Sequence, residues 1–578
     1  MLRILFLVSA HNSLSQRAQI ALTELGHTVE VAVVETADAM EAAVARHRPE
    51  LIVCPMLKKI IPESIWSRHR CLIVHPGPVG DRGPSSLDWA IELGMGEWGV
   101  TVLEATGEVD GGDIWGSRTF RTRTAGKSSL YRHEVRHAAI GALLDAMAAL
   151  QEPGFAPRRL DYDDPTVTGR PRPLIRQSER AIDWNADSTA TILRRIRAAE
   201  GHPGLLDTIA GVEVHLFGAH PEATLYGRPG EIIATRSGAI CRATVDGAVW
   251  ITHVKRPGEF KLPATQVLVV DAPEVEVPLH APIPDGHTWR EISYTEAAGV
   301  GRLRFDFYNG AMSTAQCRRL LEAYRYARRR PTSVIVLEGG DDFFSNGIHL
   351  NVIEAAGDPG QESWWNLHAI DDVVREIVET DSHLVISALA GDAAAGGVPF
   401  ALAADEVYAR EDVVLNPYYG HMGGLYGSEY WTYLMPRRVG AELTAELTSA
   451  PFRAIGTRRA VEIGLLDGAF GADAASFRAQ VRGHAERLAS RSDLDRLLHE
   501  KRRARARDEQ EKPLSVYRTE ELTRSHECLF GPDRSYHEAR SRFVYKTGAP
   551  CAVTPPAAAE AMDLLRAAAV RPAAIGAR

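Results

Sequence analysis

The chain has few cysteines and no excess of positive charge, and both shortages restrict what it does. Six cysteines stand apart without a CxxC pair, which argues against a zinc or iron–sulfur site and for a reducing compartment. The formal net charge of -9 gives no electrostatic footprint for nucleic acid or an anionic membrane. No apolar run spans a bilayer, and the opening MLRILFLVSA lacks a cleavage site. We therefore expect a cytoplasmic protein without a metal, a nucleic-acid partner or a membrane partner.

Strands and helices alternate in the N-terminal part of the sequence. The hydrophobic pattern predicts strands at 4–9, 28–34, 51–54 and 71–75, and helices at 16–25 and 37–46. This alternation indicates a parallel, doubly wound α/β sheet. At 578 residues the chain is long enough for three or four domains.

The most informative segment is 71–116. It places His75 after an apolar run that is typical of a buried strand, and a Gly/Pro-rich loop follows. Asp110 then stands in an acidic-Gly-Gly turn. This is the layout of an acid/base pair on loops at the strand ends of an α/β sheet.

The same segment resembles the active site of folate-dependent formyltransferases. The matching residues are His75-Pro76, Gly83, 90–91, 99–101 and 109–112. The resemblance implies that His75 and Asp110 handle protons while a formyl group leaves N10 of tetrahydrofolate. The following residues, to about 270, resemble the small β-barrel-like domain that follows the catalytic domain in methionyl-tRNA-type formyltransferases.

One residue of that family pattern is absent, because Ile73 stands where the family has an Asn. In the family this Asn donates a hydrogen bond to the formyl oxygen as it gains charge, and losing such a donor costs about a hundredfold or more in rate. Either another group replaces the Asn, or the acceptor differs from the usual amine. A thiol is a candidate acceptor, since a thiolate beside an imidazole is a better nucleophile at neutral pH than a protonated amine.

Two glycine-containing loops, 343–350 and 391–397, follow apolar strands in the C-terminal half. As a pair they resemble the oxyanion hole of the crotonase (enoyl-CoA hydratase/isomerase) family. The resemblance implies that the N–H groups of Ile348 and Gly396 bind the carbonyl of a coenzyme A thioester. Pro399 and Tyr418 stand where hydratases carry glutamates, so addition of water to an alkene is not expected.

The residues expected to move a proton at this second site are Tyr418 and Glu429, and the sequence leaves open which of them is the base. For Tyr419 and His421, core packing and function remain equal alternatives. Six further residues are expected to bind substrate or coenzyme A, three from predicted N-terminal loops and three from a segment that resembles the last crotonase helix. They are Gln16, Arg17, Arg132, Arg542, Phe543 and Lys546.

These observations predict four segments. A doubly wound formyltransferase catalytic domain is expected at 1–165, a β-barrel-like formyltransferase C-terminal domain at 166–272, a Pro-rich linker at 273–295 and a crotonase domain with the ββα spiral at 296–578.

The combination of the two halves resembles hydrogenase maturation proteins of the HypX/HoxX type. The resemblance implies that formyl passes from N10-formyltetrahydrofolate to coenzyme A, and that formyl-CoA is decarbonylated to carbon monoxide for a [NiFe] hydrogenase, whose maturation proteins are possible partners. Two alternatives stay open. One is a formyltransferase acting on an amine or sugar nucleotide with an inactive crotonase domain, and the other is a non-enzymatic folate- and CoA-binding scaffold for maturation.

Overall fold

The computed structural model of the protein describes residues 1–282, 284, 287–420, 422–450 and 454–547. His421, which the sequence placed near the second site, and residues 548–578 of the predicted crotonase domain lie outside these ranges. The chain forms two compact units. One comprises Met1–Val275 with a short segment ending at Trp289, and the other comprises Glu276–Pro284 with the chain from Arg290 onward. Among the helices in the described ranges, none has both the length and the apolar composition needed to cross a membrane.

A six-stranded sheet forms the centre of the N-terminal part of the first unit. Its strands are β1 (Arg3–Val8), β2 (Thr28–Val33), β3 (Leu51–Cys54), β4 (Cys71–His75), β5 (Glu97–Glu104) and β6 (Ile114–Arg121). Its helices are α1 (Ser13–Glu24), α2 (Ala37–His47), α3 (Glu63–Trp66), α4 (Ser86–Glu92), α5 (Lys127–Leu130) and α6 (Arg136–Ala149), with a π-helical turn over Tyr131–Val135 before α6. The strand order is β2-β1-β3-β4-β5-β6.

Helices cover both faces of this sheet, as predicted for a doubly wound fold. Successive residues of a strand face opposite sides of the sheet. In β1, Ile4 and Phe6 therefore pack in the apolar cluster that includes α1 and α6, whereas Leu5 and Leu7 pack in the cluster that includes α2 and α3. The doubly wound prediction is confirmed.

The four strands that the sequence predicts pair in parallel, and two further strands pair antiparallel at one edge of the sheet. Strands β2, β1, β3 and β4 pair in parallel, but β4 with β5 and β5 with β6 pair antiparallel. The loop 105–113 joins β5 to β6 without a crossover helix, and such a short connection suits antiparallel neighbours only. This loop carries Asp110.

The second part of the first unit is an antiparallel sheet with three helices. Its elements are α7 (Gln177–Arg180), α8 (Thr189–Ala199), β7 (Leu205–Ile209), β8 (Val212–Glu222), β9 (Ile232–Arg236), β10 (Ala239–Ala243), β11 (Ala248–Lys255), β12 (Leu262–Pro263) and α9 (Ala264–Val267). The order β7-β8-β11-β10-β9, with β12 paired to β11, is an open path. Within the described residues the predicted barrel-like sheet is therefore not closed by strand pairing.

The second unit contains two further sheets. The large sheet has the order β13-β14-β15-β17-β19-β22 and the small sheet has the order β16-β18-β20-β21. The strands are β13 (Ile292–Ala297), β14 (Val300–Phe305), β15 (Val334–Glu338), β16 (Phe343–Ser345), β17 (Leu384–Leu389), β18 (Asp392–Ala394), β19 (Glu406–Ala409), β20 (Val414–Asn416), β21 (Ile455–Gly456) and β22 (Gly468–Ala469).

The helices of the second unit cover these sheets and continue beyond the last strand. They are α10 (Thr314–Arg328), α11 (Leu350–Ala355), α12 (Pro359–Val378), α13 (Gly397–Leu402), α14 (Trp431–Leu447), α15 (Thr457–Glu462), α16 (Ala474–Ala489), α17 (Leu494–Glu511), α18 (Leu514–Phe530) and α19 (Ser535–Tyr545), with a 3-10 turn over Tyr308–Gly310.

The second unit repeats one pattern three times, in which a strand of the large sheet is followed by a strand of the small sheet. The pairs are β15 with β16, β17 with β18, and β19 with β20, and one or more helices follow each pair. This is the predicted ββα spiral, which is confirmed. Strands β16, β18 and β20 are parallel neighbours, so their carboxyl ends meet at one edge of the small sheet.

The predicted linker 273–295 is largely built into the two units. Val275 donates a backbone hydrogen bond to Thr235, and Trp289 packs against Trp250 with ring centroids 6.1 Å apart, both within the first unit. Strand β13 begins at Ile292 in the second unit. The three boundaries between the four predicted segments stay predictions.

Candidate functional site

The first candidate site is built around His75, the last residue of β4, whose side chain is buried. Its Nε2 atom lies 2.9 Å from Oδ2 of Asp81, and its Nδ1 atom lies 3.6 Å from Oδ2 of Asp110. The imidazole therefore stands between two carboxylates. The structure brings His75 and Asp110 together, as their spacing in the sequence indicated, and their catalytic roles stay predictions.

Glycine at position 77 permits this close approach. A Cβ at Gly77 would lie 2.7 Å from Nε2 of His75 and would also overlap the side chain of Asp81. The carbonyl of Gly77 accepts a hydrogen bond of 2.9 Å from Oγ1 of Thr101 on β5. The loop after His75 is therefore fixed to the neighbouring strand at the point where it must leave room for the imidazole and the carboxylate.

Asp110 approaches from the loop between β5 and β6. Its backbone is left-handed, with φ of 52°, and its Oδ2 atom accepts a hydrogen bond of 3.3 Å from the N–H of Gly83. Arg82, beside Gly83, donates to the carbonyl oxygen of Val109 at 2.9 Å. The two loops of the site thus hold each other through both backbone and side-chain hydrogen bonds.

Asp81 is a residue that the sequence analysis missed. Its side chain is fully buried, and its Oδ1 atom accepts a hydrogen bond of 2.8 Å from Nη1 of Arg172. The available signal was an acidic residue inside the glycine- and proline-rich loop that follows His75. Arg172, 91 residues further along, gave no comparable signal.

Ile73 lies two residues before His75 on β4 and packs, partly buried, against the apolar cluster beside α2 and α3. Its hydrocarbon side chain cannot donate a hydrogen bond, so the position that carries Asn in the resembling formyltransferases offers no donor here.

The predicted ligand-binding residues of the first unit lie on two neighbouring helical segments, so the expectation that they lie on loops is wrong. Gln16 and Arg17 are half-buried in α1, where Nε2 of Gln16 donates to the carbonyl oxygen of His11 at 3.0 Å. Arg132 is half-buried in the π-helical turn. Nδ2 of Asn12, the N-cap of α1, donates to the hydroxyl of Tyr131 at 3.3 Å, which joins the two segments. Their contact with a ligand stays a prediction.

The second candidate site forms where β16, β18 and β20 end. Ile348 follows β16, Gly396 follows β18, and Tyr418 follows β20. At Gly347, which has a φ of +75°, a Cβ would lie 3.2 Å from the backbone nitrogen of Gly396, so the two glycine loops touch. The structure thus brings together the two backbone groups that the sequence paired.

Buried Asn366 supports the first of these loops. Its Oδ1 atom accepts a hydrogen bond of 3.1 Å from the N–H of His349, and its Nδ2 atom donates to the carbonyl oxygen of Met312 at 2.9 Å. The N–H of Met312 in turn donates to the carbonyl oxygen of Gly347 at 2.9 Å. The chain on both sides of Ile348 is therefore tied to one side chain of α12.

Glu429 lies against the second loop and is 1% exposed. A Cβ at Gly396 would overlap the Oε1 atom of Glu429, which places that oxygen beside the predicted oxyanion position. The Oε2 atom accepts hydrogen bonds from the hydroxyl of Tyr419 at 3.0 Å and from the N–H of Ser428 at 3.1 Å. Oε2 accepts two hydrogen bonds, and Oε1 is the carboxyl oxygen that lies nearer to Gly396.

Burial, and next the neighbouring carboxyl of Asp371, raise the pKa of Glu429 to about 8. Oδ1 of Asp371 accepts a hydrogen bond of 2.7 Å from the N–H of Glu429, and burial raises the pKa of Asp371 to about 6. Nε of Arg518 lies 3.6 Å from Oδ2 of Asp371, but Arg518 also binds Asp372 through Nη1 at 2.7 Å. Glu429 is therefore mostly protonated at neutral pH.

A third buried carboxylate holds the backbone next to Glu429. Glu429 and Tyr430 both have left-handed backbones, with φ of 62° and 55°. Glu521 of α18 accepts hydrogen bonds from the N–H of Tyr430 at 2.9 Å and from the N–H of Thr432 at 2.8 Å. It thereby satisfies donors at the start of α14 that have no partner within the helix.

The two adjacent tyrosines differ in what they contact. Tyr419, for which the sequence left core packing and function open, donates to Glu429. The hydroxyl of Tyr418 lies beside the backbone of Gly420, where a Cβ would overlap it, and burial raises the pKa of Tyr418. Tyr418 and Glu429 stay the predicted proton-transfer residues, and Tyr419 joins them as a neighbour that the sequence did not select.

The predicted coenzyme A residues of the second unit lie together on the last turn of α19. Arg542 and Phe543 are exposed, and Nζ of Lys546 lies 4.1 Å from the centroid of the Phe543 ring. They form an exposed cationic and aromatic edge, and their role in binding stays a prediction. In the described part of the chain no group of three or more His, Cys, Asp or Glu side chains is arranged to hold a metal ion.

Sequence profiles of known families match three parts of the chain. The formyl transferase profile matches residues 13–146, the formyl transferase C-terminal domain profile matches residues 174–270, and the enoyl-CoA hydratase/isomerase profile matches residues 296–528. The predicted order of formyltransferase and crotonase halves is confirmed.

Whole-chain comparisons agree with this division. The hydrogenase maturation factor HoxX of Bradyrhizobium diazoefficiens is 48% identical over 547 residues, which cover 94% of this chain and 95% of that protein. A crystal structure of HypX from Aquifex aeolicus in complex with tetrahydrofolic acid is 41% identical with a TM-score of 0.91, and the match covers 100% of both chains. A methionyl-tRNA formyltransferase of Variovorax paradoxus is 27% identical over 239 residues, which cover 40% of this chain and 72% of that protein.

The overlap at Gly396 predicts a stability effect. We expect Gly396→Ala to destabilise the second unit by about 2 kcal/mol, because the added methyl group must displace the buried carboxyl of Glu429. Urea unfolding followed by near-ultraviolet circular dichroism measures this change.

Two variants make this test specific. Gly357→Ala is the control, since a Cβ there meets nothing within 4 Å. Adding Glu429→Ala to Gly396→Ala should recover most of the lost stability. If Gly396→Ala unfolds at the same urea concentration as Gly357→Ala, Glu429 does not pack against Gly396.

The raised pKa of Glu429 predicts a pH-dependent effect on stability. The folded chain keeps a proton on Glu429 up to a pKa of about 8, whereas the unfolded chain loses it near 4.5. The contribution of Glu429 to stability is therefore greatest below pH 4.5 and falls as the pH rises towards 8, by at most about 1.4 kcal/mol per pH unit. Between pH 4.5 and 8, the stability of Glu429→Gln, which stays neutral, should therefore rise relative to that of the wild type.

Urea midpoints at pH 5, 7 and 8.5 measure this difference. The control is Glu442→Gln, which removes an exposed carboxylate of α14. A constant difference between Glu429→Gln and the wild type from pH 5 to 8.5 would mean that Glu429 is not protonated in the folded chain.

Proposed function

The chain belongs to the HypX/HoxX family of hydrogenase maturation factors, and on this premise we propose that it carries one formyl group through two consecutive reactions. The first transfers formyl from N10-formyltetrahydrofolate to the thiol of coenzyme A. The second splits formyl-CoA into carbon monoxide and coenzyme A, and the carbon monoxide goes to the iron of a [NiFe] hydrogenase through other maturation proteins. We also propose a cytoplasmic location, where the five cysteines of the described part of the chain remain free thiols.

The observation that carries this proposal is the position of Glu429. A crotonase oxyanion pair without the hydratase glutamates can hold a thioester but has no carboxylate at those positions to take up a proton. Oε1 of Glu429 lies beside Gly396 and supplies such a group. A carboxyl with a pKa of about 8 is matched to proton transfer near neutral pH.

In the first reaction His75 acts as the base. It takes the proton of the coenzyme A thiol, and the sulfur forms a bond to the formyl carbon. The bond between that carbon and N10 then breaks, and the proton passes from the imidazole to N10. Asp110, with its Oδ2 atom 3.6 Å from Nδ1 of His75, stabilises the imidazolium in between. The complex of HypX from Aquifex aeolicus with tetrahydrofolic acid supports folate as the first ligand.

In the second reaction the N–H groups of Ile348 and Gly396 polarise the thioester carbonyl, which makes the formyl hydrogen more acidic. The ionised form of Glu429 takes this hydrogen as a proton through Oε1, and the carbon–sulfur bond breaks with its electron pair on sulfur. Carbon monoxide leaves, and the thiolate receives a proton, for which Tyr418 is the assigned donor. Neither reaction as written requires an oxidant, a reductant or a metal ion.

A second candidate function is a formyltransferase that acts on an amine or sugar nucleotide and has an inactive crotonase domain. Pro399, which is buried in α13 at a position where hydratases carry a glutamate, favours it. A folate- and CoA-binding scaffold without turnover is the third candidate, which Ile73 favours. A stable formyl-amide product identifies the second candidate, and the absence of tetrahydrofolate release identifies the third.

The two-site proposal predicts that the reactions can be separated by mutation. The full chain is incubated with N10-formyltetrahydrofolate and coenzyme A, tetrahydrofolate is quantified, and carbon monoxide is trapped with deoxyhaemoglobin. Glu429→Gln should lower carbon monoxide release about a hundredfold or more, because the amide cannot accept the proton. It should still release tetrahydrofolate and form formyl-CoA or formate, and Tyr418→Phe should behave in the same way.

Matched variants complete this experiment. His75→Ala should abolish tetrahydrofolate release as well as carbon monoxide release, and Asp110→Asn should be severely impaired in both. Glu442→Gln should change neither product. Carbon monoxide release at the wild-type rate from both Glu429→Gln and Tyr418→Phe would show that the crotonase half is not the decarbonylating site.

Coenzyme A should stabilise the full chain by mass action. At a hundredfold excess over the dissociation constant, about 2.7 kcal/mol is expected, measured as a thermal shift. Arg132→Ala and Arg542→Ala should each weaken binding about tenfold if these residues hold phosphates, and dephospho-coenzyme A should bind less well. Arg507→Ala, on the exposed face of α17, is the control. No shift at millimolar coenzyme A would contradict a thioester-handling role.

A further inference from the structure

Asp81 in the first unit uses both of its carboxylate oxygens on charged or polar partners. Oδ2 lies 2.9 Å from Nε2 of His75, and Oδ1 lies 2.8 Å from Nη1 of Arg172. The three side chains form a line that runs from the imidazole through the carboxylate to the guanidinium. None of the reactions described above uses Asp81 or Arg172.

Burial makes the guanidinium necessary for the charge on Asp81. The carboxylate is 0% exposed, and an unpaired ionised carboxylate at such a depth costs several kcal/mol. The guanidinium of Arg172 lies opposite Oδ1 and also sits over the ring of Trp98, with Cζ 5.4 Å from the centroid. The N–H of Arg172 donates to the carbonyl oxygen of Arg82 at 2.9 Å, which fixes this segment against the loop that carries Asp81.

A carboxylate paired with a guanidinium can only accept a hydrogen bond. Nε2 of His75 lies at hydrogen-bond distance from Asp81, 2.9 Å, whereas Nδ1 lies 3.6 Å from Asp110, which is longer than a hydrogen bond. The neutral ring therefore carries its hydrogen on Nε2 and its lone pair on Nδ1. Nδ1 is the atom on the side of Asp110, whose side chain is 14% exposed, while Asp81 on the other side is sealed from solvent. The nitrogen with the lone pair thus faces the less buried of the two carboxylates.

We propose that Asp81, kept charged by Arg172, is a positioning residue that holds His75 with its hydrogen on Nε2 and so selects Nδ1 as the atom that accepts the thiol proton. This inference rests on the proposed function in one respect, namely that His75 is the base of the formyl transfer. Arg172 comes from the segment between the sheet of β1–β6 and the antiparallel sheet of β7–β12, so that segment completes the site of the first sheet.

The proton balance of the transfer agrees with this assignment. When the thiol proton reaches Nδ1, the imidazolium has one N–H towards Asp81 and one towards Asp110, so both carboxylates stabilise its charge. The sulfur bonds to the formyl carbon, and the carbon–N10 bond breaks. The Nδ1 proton then moves to N10, which restores the neutral imidazole with its hydrogen on Nε2.

Nitrogen-15 NMR of the imidazole tests the proposal without any substrate. The full chain is labelled with 15N-histidine, and the His75 signals are identified by their absence in His75→Gln. Above the pH at which the ring is protonated, the wild type should carry its hydrogen on Nε2. In Asp81→Asn the amide oxygen faces Arg172 and the amide N–H faces His75, so the hydrogen should move to Nδ1. Asp163→Asn, an exposed aspartate of the same unit, is the control.

Kinetics with N10-formyltetrahydrofolate and coenzyme A give a second, independent measurement. Asp81→Asn should lower kcat for tetrahydrofolate release about a thousandfold and change KM for the folate less than threefold, because the tautomer is wrong while the folate contacts persist. Asp81→Glu should recover part of the rate, since it restores the charge. Arg172→Gln should lower kcat about tenfold, and Arg172→Lys should be less impaired.

The outcomes separate this inference from the proposed function. A wild-type spectrum with the hydrogen on Nδ1 overturns the inference, and this spectrum is decisive even if Asp81→Asn does not fold. An unchanged tautomer in folded, inactive Asp81→Asn also overturns it, since the role of Asp81 is then only structural. The wild-type imidazole can carry its hydrogen on Nε2 while His75→Ala still releases tetrahydrofolate. In that case His75 is not the base, and Nδ1 is not the atom that accepts the thiol proton.

Discussion

The burial of carboxylates is the constraint on which both halves of the molecule depend. A carboxylate removed from water must either be paired with a cation or keep its proton. In the first unit Asp81 is paired, with Arg172 on one oxygen and His75 on the other. In the second unit Asp371 lies 3.6 Å from Arg518, which also binds Asp372, and burial raises the pKa of both Asp371 and Glu429. Burial of a carboxyl group therefore has two outcomes in this chain: Asp81 is paired with a cation, and Glu429 keeps its proton.

The topology of the second unit explains how separate loops reach one point. Because β16, β18 and β20 are parallel neighbours, the residues that follow them converge at one edge of the small sheet. Helix α12 supports this edge from within the core. Asn366 ties the chain around Ile348, and Asp371, farther along the same helix, holds the backbone of Glu429. One rigid element thus sets the distance between the predicted oxyanion position and the predicted base.

The sequence predicts what depends on local patterns and misses what depends on distant partners. The apolar strands, the glycine loops and the pair of His75 and Asp110 are visible because each belongs to a short motif. Arg172 is 91 residues from Asp81, and Asp371 is 58 residues from Glu429, so no local pattern connects them. The sequence analysis predicted no strand at β5 or β6, so the antiparallel edge that these strands form was not foreseen.

The left-handed backbone at Glu429 and Tyr430 has a consequence for where this half of the molecule can be divided. Two consecutive non-glycine residues in that conformation are strained by roughly 1–3 kcal/mol each, and Glu521 on α18 accepts hydrogen bonds that hold the turn. Helix α18 lies more than eighty residues beyond Glu429 in the sequence and after every strand of the two sheets. The smallest functional module of this half therefore includes α18 as well as the spiral of strands. A truncation or gene fusion that removes α18 would also remove Glu521, which holds the backbone turn at Glu429.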